Sequence, residues 1–208
     1  MNDQAERTAR ELFTRAESAK ETREKLIDSA IHLFYLHGVH AVALDQILKE
    51  VGVTKTTFYK YFESKDDLVY SALQRRDAWE MEWFHNAIRQ AEHGDPRCML
   101  LAVFDVLHDW FTAPRFSGIQ FINATAEFPN VSDPIYVVAR QHKSAIRGLI
   151  RNTALRAGAR DPDQVSGELM LLLEGATALR LSTGDNSAAR IAHRLAEMVV
   201  ELSLSKSS

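Results

Sequence analysis

The chain has 208 residues, of which 46% are hydrophobic and 25% charged, a composition that excludes an intrinsically disordered protein. Its formal net charge of −3 excludes a protein that is basic overall, so any nucleic-acid surface must be local. A single cysteine, Cys98, excludes an internal disulfide and a multi-cysteine metal cluster, as expected for a reducing cytoplasm.

Residues 1–20 alternate charges without an apolar centre, which predicts a helical or disordered arm rather than a signal peptide. Acidic residues balance its arginines, so we do not expect the arm to contact DNA. The densest apolar runs, at 99–104 and 169–174, are too short to span a bilayer. The sequence therefore predicts a cytoplasmic protein without a membrane segment.

Apolar residues recur every three or four positions in residues 22–37, which predicts an amphipathic helix that ends at Gly38. The same spacing in residues 44–51 predicts a second helix that ends at Gly52. Thr54 then stands where the N-cap of a third helix belongs, and this helix is predicted to be about two turns long. The recurring apolar residues are Ile27, Ala30, Ile31, Phe34, Leu44, Ile47, Leu48 and Val51.

Ser64 and Asp67 resemble a capping box, which predicts a long helix from Lys65 to about Gln90. Breaks at Pro114 and at further segments rich in proline, glycine, aspartate and asparagine separate the later helices. No segment alternates in the manner of a strand, so the fold is predicted to be all-α with about nine helices. The later helices are predicted at about 97–112, 117–127, 133–157, 163–182 and 187–204.

Residues 44–62 have the order of a helix-turn-helix, namely an apolar helix, a glycine-containing turn and a short second helix. A helix of two turns is not stable alone in water, so its outward face can be selected for binding. That face offers lysines, hydroxyl groups and the phenol of Tyr59, all of which can bind phosphates or base edges. Lys65 faces the positive end of a helix dipole, a repulsion that a DNA phosphate would relieve. The side chains predicted to point inward are Leu44, Ile47, Leu48, Val53, Phe58 and Phe62.

The segment GVTKTTFYKYFESKDDLV, residues 52–69, closely resembles the DNA-binding signature of the tetracycline-repressor (TetR) family. Together with Phe34, Gly38, Leu44 and Ile47, the resemblance covers about residues 22–70. It implies a dimeric bacterial transcription regulator, usually a repressor, with an N-terminal three-helix bundle at 21–66. Residues 67–208 would form a larger helical domain for ligand binding and dimerisation.

By this resemblance, Thr54 caps the recognition helix. Lys55, Thr56 and Thr57 form the start of that helix and face the major groove. Val42 and Ala43 depart from the family pattern, because many members carry a capping Thr or Ser there that touches phosphate. A glycine frequent near Thr56 in relatives is also replaced, which would alter the DNA sequence that is recognised. The residues expected to contact DNA are Thr54, Lys55, Thr56, Thr57, Tyr59, Lys60, Tyr61 and Lys65.

Residues 118–129 resemble a stretch seen in one group of these regulators, and its Asn123 and Glu127 would share a helix face. They could orient a ligand in a mostly apolar cavity, or they could cap a neighbouring helix or bind each other. The aromatic residues could line such a cavity or simply form the core. The candidate ligand contacts are Trp83, Phe104, Trp110, Phe121, Asn123 and Glu127.

The last two predicted helices are apolar on more than one face, which predicts one side of a four-helix interface in a homodimer. Packing within the monomer is the alternative. Asp105 and His108 could pair across one helical turn, but no nucleophile motif accompanies them, so no catalytic residue is expected. We expect neither a cofactor nor a metal site at the histidines around Gly38. A basic stripe could bind an anion or be a solvated face balanced by acidic residues; it comprises Arg140, Lys143, Arg147 and Arg151.

The sequence therefore predicts a ligand-responsive repressor that a small molecule releases from a pseudo-palindromic DNA operator. Two alternatives stay open: a constitutive regulator without an inducer, and an enzyme that uses the aromatic pocket.

Overall fold

A computed structural model describes residues 2–113 and 120–204, with the backbone alone for residues 2–19, 120 and 122. Within these ranges the chain forms nine helices and no strand, which confirms the predicted all-α fold. No helix there is both long and apolar enough to cross a membrane. The helices are α1 (Asn2–His37), α2 (Leu44–Val51), α3 (Lys55–Phe58), α4 (Lys65–Ala91), α5 (Pro96–Thr112), α6 (Gln120–Glu127), α7 (Pro134–Arg156), α8 (Pro162–Thr183) and α9 (Ser187–Leu204).

Helices α4, α5, α7, α8 and α9 lie within one residue of their predicted bounds. The backbone of α1 includes the predicted arm, whose side chains up to residue 19 lie outside the described residues. The predicted break at Pro114 and the predicted start of α6 at residue 117 also lie outside them.

The chain divides into two compact units, Met1–Gln74 and Arg75–Ser208, with the division inside α4. The sequence placed the domain boundary after residue 66. In the first unit, the apolar faces of α1, α2, α3 and the start of α4 form a core. Its largest fully buried side chains are Leu26, Ile27, Ile47, Phe58, Phe62 and Leu68.

The second unit packs α9 against α5 and α8, α7 against α8, and α6 against α7. Three of these helices begin with an aspartate followed by proline. The carboxylates of Asp95, Asp133 and Asp161 accept hydrogen bonds from backbone N–H groups of the first turn, at 2.8 to 2.9 Å. Proline suits the next position because its fixed φ is already helical and the N–H that it lacks would have no partner in the helix.

Candidate nucleic-acid interface and interior polar cluster

The turn between α2 and α3 sets the direction of α3. Gly52 has φ +77°, and its N–H donates to the carbonyl of Leu48 at 2.9 Å. A Cβ at this position would meet no atom within 4 Å, so the backbone conformation, rather than lack of space, favours glycine. Thr54 then caps α3 as predicted, since its Oγ1 accepts from the N–H of Thr57 at 3.2 Å.

Helix α3 is a single turn, which corrects the predicted length of about two turns. After Phe58 the chain tightens, because Lys60 and Tyr61 donate to carbonyls three residues back rather than four. The rings of Phe58 and Phe62 stack at 5.5 Å between centroids and are buried in the first unit. These two rings therefore fix a helix too short to be stable by itself.

Most of the predicted DNA contacts lie on α3 and on the residues that flank it. Lys55 lies at its first turn, and its ammonium binds Asp45 of α2 at 2.9 Å. This hydrogen bond raises the pKa of Lys55, so the lysine is charged at neutral pH. The ring of Tyr59 is 58% exposed and lies edge-on to Phe58. The exposed predicted contacts are Thr54, Lys55, Thr56, Tyr59 and Lys60, whereas Thr57, Tyr61 and Lys65 are half-buried.

Lys65 has a position that the sequence did not anticipate. Its ammonium donates to the carbonyl of Val39 at 2.5 Å and lies 5.8 Å from the ring centre of Phe34. A carbonyl oxygen and an aromatic face both attract a cation, so they relieve part of the dipole repulsion from which a phosphate contact was predicted. The capping box beside it is present, because Asp67 accepts from Glu63 N–H at 3.0 Å and donates its own N–H to Ser64 at 3.1 Å.

The departure at residues 42 and 43 has a structural counterpart. Ala43 is the N-cap of α2 and makes no side-chain capping bond. The side chain of Val42 is wholly buried in the first unit. A phosphate contact at the start of α2 would therefore have to come from backbone N–H groups.

In the second unit, four ionisable residues meet in the interior, and we call them the interior polar cluster: Arg76, Asp77 and Glu80 of α4 with His142 of α7. His142 is 2% exposed. Its Nδ1 lies 2.7 Å from Asp77 and its Nε2 lies 3.2 Å from Glu80. The imidazole of His142 therefore bridges two carboxylates of α4, one at each ring nitrogen.

Glu80 is the most enclosed acid of the interior polar cluster, with 5% of its surface exposed. Burial raises the pKa of Glu80, but the hydrogen bond from His142 and the charge of Arg76 outweigh it and leave the pKa below its ordinary value. Arg76 donates from Nε to Glu80 at 2.5 Å. The acid is therefore ionised, and it joins α4 to α7.

A cavity of about 20 Å³ adjoins the interior polar cluster, with room for roughly one water molecule. Besides Glu80 and His142, its walls include Trp110 and the ion pair between Lys143 and Glu174, whose atoms are 2.5 Å apart. Both charge and aromatic surface therefore border this space.

The six predicted ligand contacts are not brought together around that cavity. Trp110 lines it, and Trp83 lies 5.8 Å from Trp110 between ring centres but is 41% exposed. Phe104 is wholly buried in the core, and Phe121 stacks on His142 at 3.7 Å. The two polar candidates, Asn123 and Glu127, are half-buried on α6.

Contacts in the second unit bear on two other sequence interpretations. The carboxylate of Asp105 lies 3.2 Å from Nε2 of His193 on α9, whereas Nδ1 of His108 is buried without a hydrogen-bond partner among the described residues. The basic stripe of α7 is balanced by α8, where Glu174 pairs with Lys143 and Asp163 pairs with Arg151 at 2.7 Å. The hydrogen bond from Arg151 lowers the pKa of Asp163.

Comparisons with known proteins agree with this architecture. The family model described as "Bacterial regulatory proteins, tetR family" matches residues 26–72. The HTH-type transcriptional regulator YjdC of Escherichia coli is 26% identical over 182 residues, 86% of this chain and 93% of that protein. The structure of a candidate TetR transcriptional regulator from Streptomyces avermitilis is 31% identical, with a TM-score of 0.75, over 88% of this chain and 97% of that one. The chain belongs to the TetR family.

It is therefore a DNA-binding transcription regulator with the fold of that family. A TetR-family regulator from Streptomyces coelicolor has the same fold, with a TM-score of 0.83 at 25% identity over 89% of this chain and 97% of that one.

The last two helices of this TetR-family regulator carry an exposed apolar stripe. On α9 its members follow one another at intervals of four, three and four residues, which places them on one face. Leu171 of α8 is 74% exposed and Leu202 of α9 is 75% exposed. Gly175 lies on α8 between the leucines, and a Cβ there would meet no atom within 4 Å. We define the exposed apolar stripe as Leu171, Leu179, Leu181, Ile191, Leu195, Met198 and Leu202.

The interior polar cluster was not predicted from the sequence, although two signals for it are present there. Arg76 and Glu80 are four residues apart, a spacing at which helical side chains meet. His142 lies in line with Val138, Ala139 and Ile146 of α7, so its ring had to face the core. A histidine on an apolar helix face, with acids on another helix, is the pattern that could have been found.

Proposed function

We propose that this TetR-family regulator is a repressor that acts in the cytoplasm and leaves its operator when a small molecule binds. The observation that supports DNA recognition most directly is the composition of α3. One buried aromatic pair fixes a single helical turn, and that turn with its flanking residues presents hydroxyls, lysines and a phenol outward. Such groups contact phosphates and base edges in a major groove.

Different residues of this surface have different proposed roles. Lys55 and Thr56, at the start of α3, reach base edges and determine which operator is preferred. Tyr59, Lys60 and Tyr61 contact the DNA backbone or the bases beside it. Thr54 and Thr57 hold the helix start, since their hydroxyl oxygens lie 3.0 Å apart. Lys65 contacts a phosphate near the start of α4, in competition with its bond to Val39.

The proposed active form is a homodimer joined through α8 and α9. Leaving the exposed apolar stripe in water would be unfavourable. In a two-fold dimer, each stripe packs against the same stripe of the second copy. A dimer would present two copies of α3 to major grooves about 34 Å apart on a pseudo-palindromic operator.

Effector control is proposed to act through α4, which has Lys65–Gln74 in the first unit and Arg75–Ala91 in the second. The interior polar cluster joins the second segment to α7 through the contacts of Asp77 and Glu80 with His142. A ligand that prefers one position of α4 would change the spacing of the two recognition helices and weaken operator binding. Such coupling is typically worth about 1–3 kcal/mol.

Binding-site selection from a random duplex pool with the purified full chain tests this function. We expect enrichment of a pseudo-palindrome whose affinity falls steeply with salt, and a changed preferred sequence for the Thr56→Ala variant. Absence of salt-sensitive binding to any duplex would reject the proposal.

A constitutive regulator is the second candidate, because the cavity beside the interior polar cluster holds roughly one water molecule. Operator binding in the presence of a panel of small molecules separates the two candidates. An enzyme is not supported, since the relatives named above are transcription regulators.

A further inference from the structure

Arg76 is almost fully enclosed, with 6% of its surface exposed, yet its guanidinium uses few of its hydrogen-bond donors. Arginine carries five N–H donors. Among the residues that the structure describes, only Glu80 accepts from this group, and it accepts from Nε. Neither terminal nitrogen is among the fully buried side-chain atoms without a partner, so both keep contact with solvent. Four donors of a largely buried guanidinium are therefore left without an acceptor among the residues that the structure describes.

The same guanidinium lies between two indole rings. Its carbon is 5.3 Å from the ring centre of Trp79 and 5.9 Å from that of Trp110. Trp83 joins the group, with its ring centre 5.7 Å from that of Trp79. Trp79 and Trp83 are 53% and 41% exposed, which is unusual for the largest apolar side chain in a folded domain.

We propose that Arg76 and these tryptophans form a binding site for a flat aromatic carboxylate. The guanidinium would donate from its terminal nitrogens to the two carboxylate oxygens, while an aromatic ring packs against Trp79 and Trp83. The bond from Nε to Glu80 fixes the plane of the guanidinium, so the fork is oriented before the ligand arrives.

The charges around the site favour an anion over a cation. Arg76 already occupies the position between the indoles that a cationic ligand would need. The carboxylates of Asp77 and Glu80 are both engaged by His142, and Glu80 also by Arg76, so they offer little to a second cation. A neutral ring would gain the tryptophan contacts but would form no charge-assisted hydrogen bond with the guanidinium.

This assignment rests on the proposed function only in its regulatory part, namely that the aromatic carboxylate is the effector. Binding itself is a separate claim. Occupation of the site would act on α4 directly, since both Arg76 and Trp79 belong to that helix.

Calorimetric titration of the full chain tests the site. Three naphthalene ligands are compared, which differ only in carrying a carboxylate, a carboxamide or an aminomethyl group. We expect the carboxylate to bind about tenfold or more tightly than the amide, and the ammonium to bind weakest. The three tryptophans of the chain are Trp79, Trp83 and Trp110, so tryptophan emission must change in the same titration. Equal affinity for carboxylate and amide, or tightest binding of the ammonium, would overturn the proposal.

Variants identify the residues responsible. Arg76→Gln should bind carboxylate and amide equally, whereas the control Arg194→Gln, at an exposed arginine of α9, should keep the preference. Trp79→Ala removes a half-exposed ring without opening the core, so it should fold and weaken both ligands by the same factor. Unchanged affinity in Trp79→Ala would place binding elsewhere and refute the site, even if Arg76→Gln failed to fold.

Operator binding is measured separately on the same protein. Release of the operator by the carboxylate supports both the site and effector control. Carboxylate binding that leaves operator affinity unchanged supports the site and rejects its regulatory part. Failure to bind any duplex at all rejects the proposed function without bearing on the calorimetry.

Discussion

Lys55 begins α3, the proposed recognition helix, and its ammonium is already held by an acid of the preceding helix. The bond to Asp45 at 2.9 Å fixes the direction of a long, flexible side chain, which lowers the entropy lost when it meets DNA. The acid also carries a negative charge that repels phosphates at the same surface. Asp45 is therefore expected to reduce general affinity for DNA while it sharpens the choice of operator.

Substitution Asp45→Asn tests this balance. Affinity for unrelated duplexes should rise, the salt slope should steepen by up to about 0.9, and the ratio of operator to unrelated affinity should fall. Salt titrations of DNA binding measure all three quantities. Glu82→Gln is the matched control, because it makes the same change of net charge at an exposed position of the second unit. Identical behaviour of the two variants would show that Asp45 acts through net charge alone.

Glu80 provides a prediction about pH. The pKa of Glu80 in the folded protein is lower than its ordinary value of 4.5. Between these two pKa values the folded state therefore binds fewer protons than the unfolded state. The stabilisation is therefore complete above pH 4.5 and is lost as the pH falls through the folded-state pKa. Glu80→Gln should lose about 3–5 kcal/mol at neutral pH and show a shallower acid dependence. Urea unfolding across a pH series measures both, and Glu82→Gln should retain the steep dependence.

At the scale of the elements, the sequence predicted the helices well because their ends carry chemical signals. Glycine at a positive φ closes α2, and aspartate before proline opens α5, α7 and α8, where the breaks were predicted. The length of α3 was not predictable from such signals. The length of α3 depends on how Phe62 packs in the core of the first unit, which is a tertiary contact.

Gly52 offers a test of helix termination. The left-handed backbone costs an alanine about 1–2 kcal/mol, although a Cβ would meet no neighbour. Gly52→Ala should therefore lower the free energy of unfolding of the first unit by that amount. Urea unfolding measures this loss. Gly52→Asn should cost less, because asparagine tolerates this conformation better. Equal losses in the two variants would point to a packing role for Gly52 instead.

Lys65 distinguishes an internal role from a DNA contact. A phosphate contact predicts that Lys65→Ala weakens binding to all duplexes and flattens the salt slope by about 0.9. Loss of the bond to Val39 predicts lower stability of the first unit in the absence of DNA. We expect both effects, measured by salt titration and by urea unfolding. Lower stability with an unchanged salt slope would assign Lys65 to the interior alone.

At the scale of the whole molecule, composition and signature were enough to predict the fold class and the family, whereas the interior was not predictable at residue level. Helical spacing shows which face is buried, but not which helices face each other. His142 could be assigned to the core from α7 alone, yet its partners on α4 required the packing of the domain. Single rings such as Phe104 and Trp110 have the same sequence pattern and different surroundings.

The exposed apolar stripe gives the last prediction, which concerns assembly. Leu171 is 74% exposed, so Leu171→Glu should leave the folded protomer intact. In a two-fold dimer each substitution occurs twice, and loss of two buried leucines costs about 3–6 kcal/mol in association. We expect monomers in analytical ultracentrifugation and loss of tight operator binding, because one recognition helix reaches one half-site. Leu155→Glu is the control, since Leu155 is 60% exposed on α7 outside the stripe and should stay dimeric. A dimeric Leu171→Glu variant with normal operator affinity would place the interface on another surface.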